Sequence, residues 1–505
     1  MCGERTPLRL PRHGLAHSHR EESEPIPHEA FSATDASPML RFRGRGLRLG
    51  ILHPQKGTCK PPLSSCEIPP RMARFQYHAG MLGRRHIIKA GLATAATSLL
   101  PDIPQVLLAL PAAESQLGKV KITAIKTASV HIKYPAHLVR VETDSGLYGI
   151  GESYNRDGIL SHVRSFEEIL RGEDPLQVDY LATKMAEAQL GHGSWTGSLP
   201  SAISGIETAL WDLAGKILGV PVYVLLGGRF RDKILIYHDT GSPQTPDPAA
   251  WVEEAEKSLA YGFRATKFDM DWESRGRAIR GEPFQYRGEI WNRGIASLEM
   301  KQWRAILVAV RERLGEHYPL GIDLHFNYNY ADALSFSRMV EDLNLWFIED
   351  PIPPQNADAM ARFTSECRVP TCTGENLYTR QTFRPFIEKQ AADILQPDPQ
   401  KAGGLLETKR IADWADQYYI TFACHNMCTP VGTVANAHAC AAIRSFVALE
   451  SDSVELEHWD DLIERDAPFY QDGYYVLSDK PGLGIELNEE VCRRHLTDGS
   501  SFFGA

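Results

Sequence analysis

The sequence predicts an α/β fold: a parallel strand–helix barrel of the TIM type, preceded by a smaller α+β domain. Two observations predict it. First, polar residues end short apolar runs at near-constant spacing: Asp323 in GIDLHFNYNY, Glu349 in LWFIEDPIPP, Glu375 in TCTGENLYTR, Asp398 in ILQPDPQKAGG, His425 in ITFACHNMCTPVG and Glu450 in FVALESDSVELE. The steps are 26, 26, 23, 27 and 25 residues, close to the ~30 per strand-plus-helix unit of an eight-unit barrel. Second, the stretch before the barrel alternates at period two and then turns helical, with no such regular recurrence.

The elements follow in order. KITAIKTASVHI alternates, as does HLVRVETDSGLYGIGES around an Asp-Ser-Gly turn, which predicts a meander or hairpin. HVRSFEEILRG, VDYLATKMAEAQL and SAISGIETALWDLAGKILG carry helical periods, the last stopping at Gly219 before Pro221. KILIYHDTG is the first barrel strand and FRATKFDM the second. A polar, aromatic insertion from Asp271 to about Glu299 holds Trp272, Arg275, Arg277, Arg280, Tyr286 and Trp291; it reads equally as a lid or an oligomer contact. KQWRAILVAVRERLG is the helix before the Asp323 strand. GYYVLSDKPGLGIELNEEVCRRH reads as strand, turn and short helix. The boundaries are 118–232 for the first domain, 233–470 for the barrel, and 471–505 for a tail returning to the first domain.

Composition narrows the function. Hydrophobic residues make up 43% and charged residues 23% of 505 positions, as in ordinary soluble globular proteins. A formal charge of −10 argues against a general nucleic-acid partner. The nine cysteines are scattered, and Cys424 and Cys428 lack the further ligands of a zinc site. Residues 1–80, rich in Pro, Arg, His and Ser, read as a disordered extension or a start assigned too far upstream. In 81–117, Arg84 and Arg85 precede an Ala/Leu stretch and small residues, which resembles a twin-arginine export signal with initiation near Met72 or Met81. The alternative is a cytoplasmic protein. No other stretch is long and apolar enough to span a membrane.

Six polar residues, one per unit, would line the C-terminal mouth of the barrel, where such folds keep their active sites. Three hard carboxylates on successive strands, Asp323, Glu349 and Glu375, suit Mg²⁺. From about Val120 onward the chain resembles the enolase superfamily, in its mandelate racemase/muconate lactonizing enzyme group. The residues that carry the resemblance are Lys267 and Asp269 in a KxD element, Asp323, Glu349-Asp350-Pro351, Glu375 in GEN, Asp398 in QPDPQKAGG, His425, and ALWDLAGK followed by PVYVLLGG. The resemblance implies a modified TIM barrel of (β/α)7β type with an α+β capping domain, and a homo-oligomer. It also implies Mg²⁺ on Asp323, Glu349 and Glu375, and a small-molecule carboxylate whose α-proton is removed to give an enediolate. His425 is then the base, oriented by Asp398.

Two features choose the reaction. Asp269 stands where the family often has a second basic lysine. Lys267 and Asp269 share a strand face, so Asp269 is expected to pair with Lys267 or a substrate hydroxyl, and Lys267 to offer positive charge to the substrate carboxylate. His325, in Asp323-Leu324-His325, is similar to the residue that protonates the departing 3-hydroxyl in galactonate-dehydratase-like enzymes. Glu450 is either a donor to the enediolate or a rim residue. The capping loops Tyr134-Pro135-Ala136-His137, Tyr154-Asn155-Arg156-Asp157 and Gly193-Ser194-Trp195 are expected to close over the mouth, with Trp195 against substrate. The reading is an Mg²⁺-dependent dehydratase turning a sugar acid into its 2-keto-3-deoxy product. The alternatives are a racemase or epimerase of an α-substituted acid, and a binding protein with a dead site.

Overall fold

The computed structural model describes residues 118–271, 292–453, 456–465 and 468–504. The N-terminal extension, the twin-arginine segment and Trp272, Arg275, Arg277, Arg280, Tyr286 and Trp291 of the insertion lie outside them.

Strands β1 (Ile122–His131), β2 (Pro135–Thr143) and β3 (Tyr148–Ser153) form an antiparallel meander. It packs on a helix, Ser198–Leu218, whose buried residues include Leu199, Ile203, Ile206, Leu210, Leu213 and Ile217. Two glycines set that approach. A Cβ at Gly149 would lie 2.0 Å from the Ala209 carbonyl, and one at Gly151 would lie 2.3 Å from that of Gly205. The helix stops at Gly219 in the left-handed region (φ 71°). Its Asp212 is fully buried and accepts the Ile150 and Leu483 amides (2.9 and 2.8 Å) and the Lys216 ammonium (2.9 Å). One carboxylate thus ties meander, helix and C-terminal tail together, which is the physical content of the ALWDLAGK motif.

The barrel comprises β4 (Lys233–Asp239), β5 (Thr266–Asp269), β6 (Leu320–Asp323), β7 (Phe347–Glu349), β8 (Thr371–Thr373), β9 (Ile394–Leu395), β10 (Thr421–Cys424) and β11 (Phe446–Ser451). All neighbours are parallel, and β11 closes on β4 at Leu449 and Ile236. Helices separate successive strands, and the eighth strand closes the ring, giving the (β/α)7β arrangement over the described residues. Alternation along the strands decides which residues enter the barrel. On β7, Ile348 packs with the helix-facing core, whereas Phe347 packs with Cys372, Ile394 and Ala423 inside the ring. Glu349, two residues from Phe347, shares that inner face. Gly321 leaves room for the Phe347 ring, which a Cβ would approach to 2.8 Å.

After β11 the chain forms β12 (Ile463–Glu464), β13 (Tyr474–Val476) and β14 (Glu486–Leu487). β13 pairs antiparallel with the first half of β4. Farther on, Thr497 donates to the Ser129 carbonyl (2.9 Å) and His131 to that of His495 (2.8 Å). The tail therefore touches both the barrel and the meander. No helix among the described residues is long and apolar enough to cross a membrane.

Candidate active site

Asp323 and Glu349 are the last residues of β6 and β7 and lie in register. Glu375 follows β8 by two residues, after Gly374. Asp398 follows β9 and caps a helical turn by accepting the Gln400 amide (2.8 Å). His425 follows β10 directly, and Glu450 lies within β11. A cavity of about 440 Å³ at this end is lined by Lys267, Asp269, Asp323, His325, Glu375, Lys401, His425 and Glu450 from the barrel, with Lys133, Tyr154 and Arg156 from the capping domain.

Lys267 is 2% exposed and donates to Asp323 (3.2 Å), Glu349 (2.9 Å) and Glu450 (2.6 Å). These contacts occupy the three N–H groups of an ammonium. Lys267 bonds these carboxylates rather than Asp269, for which a substrate hydroxyl is the other expected partner. Burial opposes the ammonium, but Asp239, Glu349 and Glu450 outweigh it and raise its pKa well above the ordinary value. Lys267 is a fixed cation, not a base. Glu450 accepts from Lys267, from the Asn426 amide (3.1 Å) and from Gln396 (3.5 Å).

His425 Nδ1 bonds Asp398 Oδ2 (2.8 Å), and Nε2 faces Glu375 Oε2 (2.7 Å). Burial disfavours its imidazolium, yet Glu450, Glu375 and Asp398 lift its pKa well above the usual range. Glu375 responds in the opposite sense: burial pushes it up, while His425 and Lys401 hold it well below a normal carboxyl. Behind the pair lies a buried amide network. Gln400 and Asn436 bond reciprocally (2.9 Å each way), Asn436 reaches Asn426 (2.9 Å), and Asn426 donates to Thr433 and to the Glu450 carbonyl (3.0 Å each). Sequence reading missed these residues, since nothing in their local spacing marks them.

His325 forms a second pair of the same kind. Its Nδ1 bonds Asp271 (3.0 Å), whose other oxygen accepts from Asn327. Its Nε2 lies 3.6 Å from Asp323, and its amide donates to Asp323 Oδ1 (2.7 Å). Burial works against the charged ring, but Asp323, Asp271 and Asp269 outweigh it and raise its pKa well above the ordinary value. Asp271 was also missed, although Lys267, Asp269 and Asp271 follow one another at every second position.

Trp195 corrects an expectation. It does not line the active cavity but a separate one of about 250 Å³ with Ser194, Ile203, Thr379 and Leu406. Its carbonyl accepts the Thr379 hydroxyl (3.1 Å), which draws its loop against the barrel exterior.

The carboxylates fit a hard divalent cation. Glu349 Oε1 and Asp350 Oδ2 are buried oxygens without a hydrogen-bond partner. Burial raises both carboxyls well above normal; for Glu349 the Asp323 and Glu450 charges add to this, for Asp350 those of Glu375 and Asp323. A cation satisfies such oxygens and offsets that repulsion. The ligand atoms of Asp269, Asp323 and His325 also lie within 4.8 Å of one another. The set built on Asp323 and Glu349, with its unpartnered buried oxygen and all-oxygen donors, is the better group for a hard cation.

A family model for the mandelate racemase/muconate lactonizing enzyme N-terminal domain matches residues 118–227, and one described as enolase C-terminal domain-like matches 250–491. A D-xylonate dehydratase of Haloferax volcanii is 38% identical over 384 residues, 76% of this chain and 90% of that protein. A D-galactonate dehydratase of Variovorax paradoxus is 32% identical over 74% of this chain and 93% of its own. A crystal structure of a mandelate racemase/muconate lactonizing enzyme-like protein from Rubrobacter xylanophilus superposes with a TM-score of 0.71 at 38% identity, covering 76% of this chain and 99% of that one. With both domains matched and relatives at 38% identity over most of their length, the chain belongs to the mandelate racemase/muconate lactonizing enzyme group of the enolase superfamily.

Proposed function

We propose that this enzyme is a sugar-acid hydro-lyase, removing water across C2 and C3 of an aldonate or aldarate to give a 2-keto-3-deoxy acid. The observation that carries this reading is the pair of Asp-held histidines on one cavity: His425 on Asp398 and His325 on Asp271. β-Elimination needs a base at C2 and an acid at C3. A racemase works best with a base on each face of C2, and Lys267, bound to three carboxylates, does not supply the second.

In this reading Asp323, Glu349 and Glu375 hold Mg²⁺, which when bound supplies the positive charge that makes the α-proton of the substrate acidic. His425 Nε2 takes that proton, and Asp398 on Nδ1 holds the tautomer and steadies the imidazolium. The C–H electron pair is first taken into the carboxylate as an enediolate, then forms the C2–C3 double bond as His325 Nε2–H protonates the 3-hydroxyl, which departs as water. The resulting enol becomes the 2-keto acid. Asp269, with Oδ1 buried and unpartnered, is placed to accept a substrate hydroxyl. Export through the Arg84–Arg85 segment and homo-oligomer formation belong to the same proposal.

The test is a panel of pentonates and hexonates assayed with Mg²⁺, with semicarbazide trapping of 2-keto acid. Chelator-sensitive 2-keto acid from at least one member is expected. α-Proton exchange in D₂O with no loss of water from any member would instead indicate an epimerase.

A further inference from the structure

The capping domain grips the barrel through two buried glutamates. Glu207 accepts the amides of Leu405 (2.8 Å) and Leu406 (3.0 Å), at the start of the helix Leu405–Asp416. Glu152, on β3, accepts the amides of Thr429 and Gly432 (3.0 Å each) and the Thr429 hydroxyl (2.5 Å), at the start of the helix Pro430–Ala442. Each satisfies N–H groups left over at a helix start, where negative charge is favourable. Glu207 is 1% and Glu152 2% exposed.

They differ in what lies just upstream. The helix that Glu152 caps begins five residues after His425. The link between them is pinned at its first residue, where the Asn426 amide donates to Glu450 (3.1 Å), and at its last, where Thr429 meets Glu152. Gly432 packs closely on both partners: a Cβ there would lie 2.7 Å from Cys428 Cβ and 3.0 Å from Glu152 Oε2. Two residues along β3's path, the Tyr154 ring sits under the Lys401 ammonium at 4.6 Å. Lys401 is three residues after Asp398. One strand end of the capping domain therefore touches both segments that carry the Asp398–His425 pair.

We infer that Glu152 is a positioning residue for the reaction: it clamps Thr429 and Gly432, and through them sets where the His425 ring stands relative to the substrate α-carbon. The inference rests on His425 as the base. It makes seating of the capping domain and alignment of the base one event. Replacing Glu152 with glutamine puts an NH₂ donor among N–H and O–H donors, so at least one contact is lost. Aspartate keeps both acceptor oxygens.

The experiment uses the full-length enzyme with Mg²⁺ and the best acid of the panel, following C2 exchange and water loss together in D₂O. Glu152→Gln is expected to lower kcat roughly 10- to 100-fold, the scale of a catalytic group displaced by less than an ångström or so. KM and Mg²⁺ affinity stay within about threefold, because the lost interaction acts in the transition state. Exchange and water loss fall together, since both need the base, and Glu152→Asp restores part of the rate. Glu207→Gln serves as control: the same kind of cap, on a helix that does not follow His425, lowers Tm while kcat stays within about twofold. Wild-type kcat in Glu152→Gln, or parallel loss of kcat in both glutamine variants, overturns the inference. Should Glu152→Gln fail to fold, Thr429→Val removes one of the three donors; an unchanged kcat there overturns it equally. His425→Asn, run beside them, separates the two failures, since exchange persisting in that variant rejects the base itself.

Discussion

The two Asp-held histidines sit in unlike surroundings. His425 directly follows strand β10, is 3% exposed, and backs onto Asn426, Asn436 and Gln400, none more than 1% exposed. His325 has a side chain 19% exposed and lies on a turn, with φ of 42° followed by 61° at Phe326. Left-handed backbone at two successive non-glycine residues is uncommon and persists where surroundings enforce it. Here the Asp323 carboxylate takes the His325 amide, and the Asp350 carbonyl takes that of Phe326 (2.8 Å). His425 is built into the barrel wall, where its position is shared by many contacts, and His325 hangs on a turn at the rim. Under the proposed reaction, proton removal would belong to the scaffold and leaving-group chemistry to a loop.

The largest effect expected is on the base side. His425→Asn removes proton abstraction, and turnover falls on the order of 10³-fold or more, while Mg²⁺ affinity by calorimetry stays near wild type. Retained α-proton exchange in this variant breaks the comparison at its root. His325→Asn comes next, slowing water loss by roughly 10²- to 10⁴-fold.

The orienting acids sharpen the contrast. Asp398→Asn is expected to cost more activity than Asp271→Asn, because Asp398 also caps the turn through Gln400, whereas Asp271 shares its load with Asn327. Equal losses in steady-state kcat would show that rim and wall are equally rigid. Lys267→Met leaves Asp323, Glu349 and Glu450 without their common cation. Measured by denaturant unfolding, its cost is about 3–5 kcal/mol, the scale for removing one partner of a buried ionic cluster.

The smallest effect lies away from the mouth. His438 is fully buried, stacks on Tyr223, accepts the Tyr223 amide at Nδ1 (3.3 Å) and donates from Nε2 to the Leu483 carbonyl (3.2 Å). Burial lowers its pKa to about 4. Its folded value is below the unfolded one, so its contribution is complete above pH 6.5 and is lost as pH falls toward 4. That contribution is roughly 3 kcal/mol. Replacing His438 with glutamine is expected to flatten stability against pH in that window, and an unchanged slope would contradict its neutral burial.

Much of the barrel was legible because period and spacing report it. Asp323 and Glu349 end short apolar runs, LGID and FIE, and their separation matches one strand–helix unit. His425 and Asp398 were legible for the same reason. Glu375 sits two residues beyond its strand, within the tolerance of such a count. What escaped is what the chain brings together across loops and domains. Trp195 lies in a loop whose direction is set by Thr379, far along the chain. Glu152 is the penultimate residue of the strand GIGES, with no partner nearby in sequence; its donors are Thr429 and Gly432. Asp271 was within reach, since continuing the every-second-residue face of Lys267 and Asp269 leads to it.

The most direct test of a separate base and acid follows both bonds at once by ¹H NMR in D₂O, with a substrate acid and Mg²⁺. In His325→Asn the C2 proton should keep washing out while 2-keto acid formation nearly stops. Equal loss of exchange and elimination in that variant would contradict the division of labour between the two histidines.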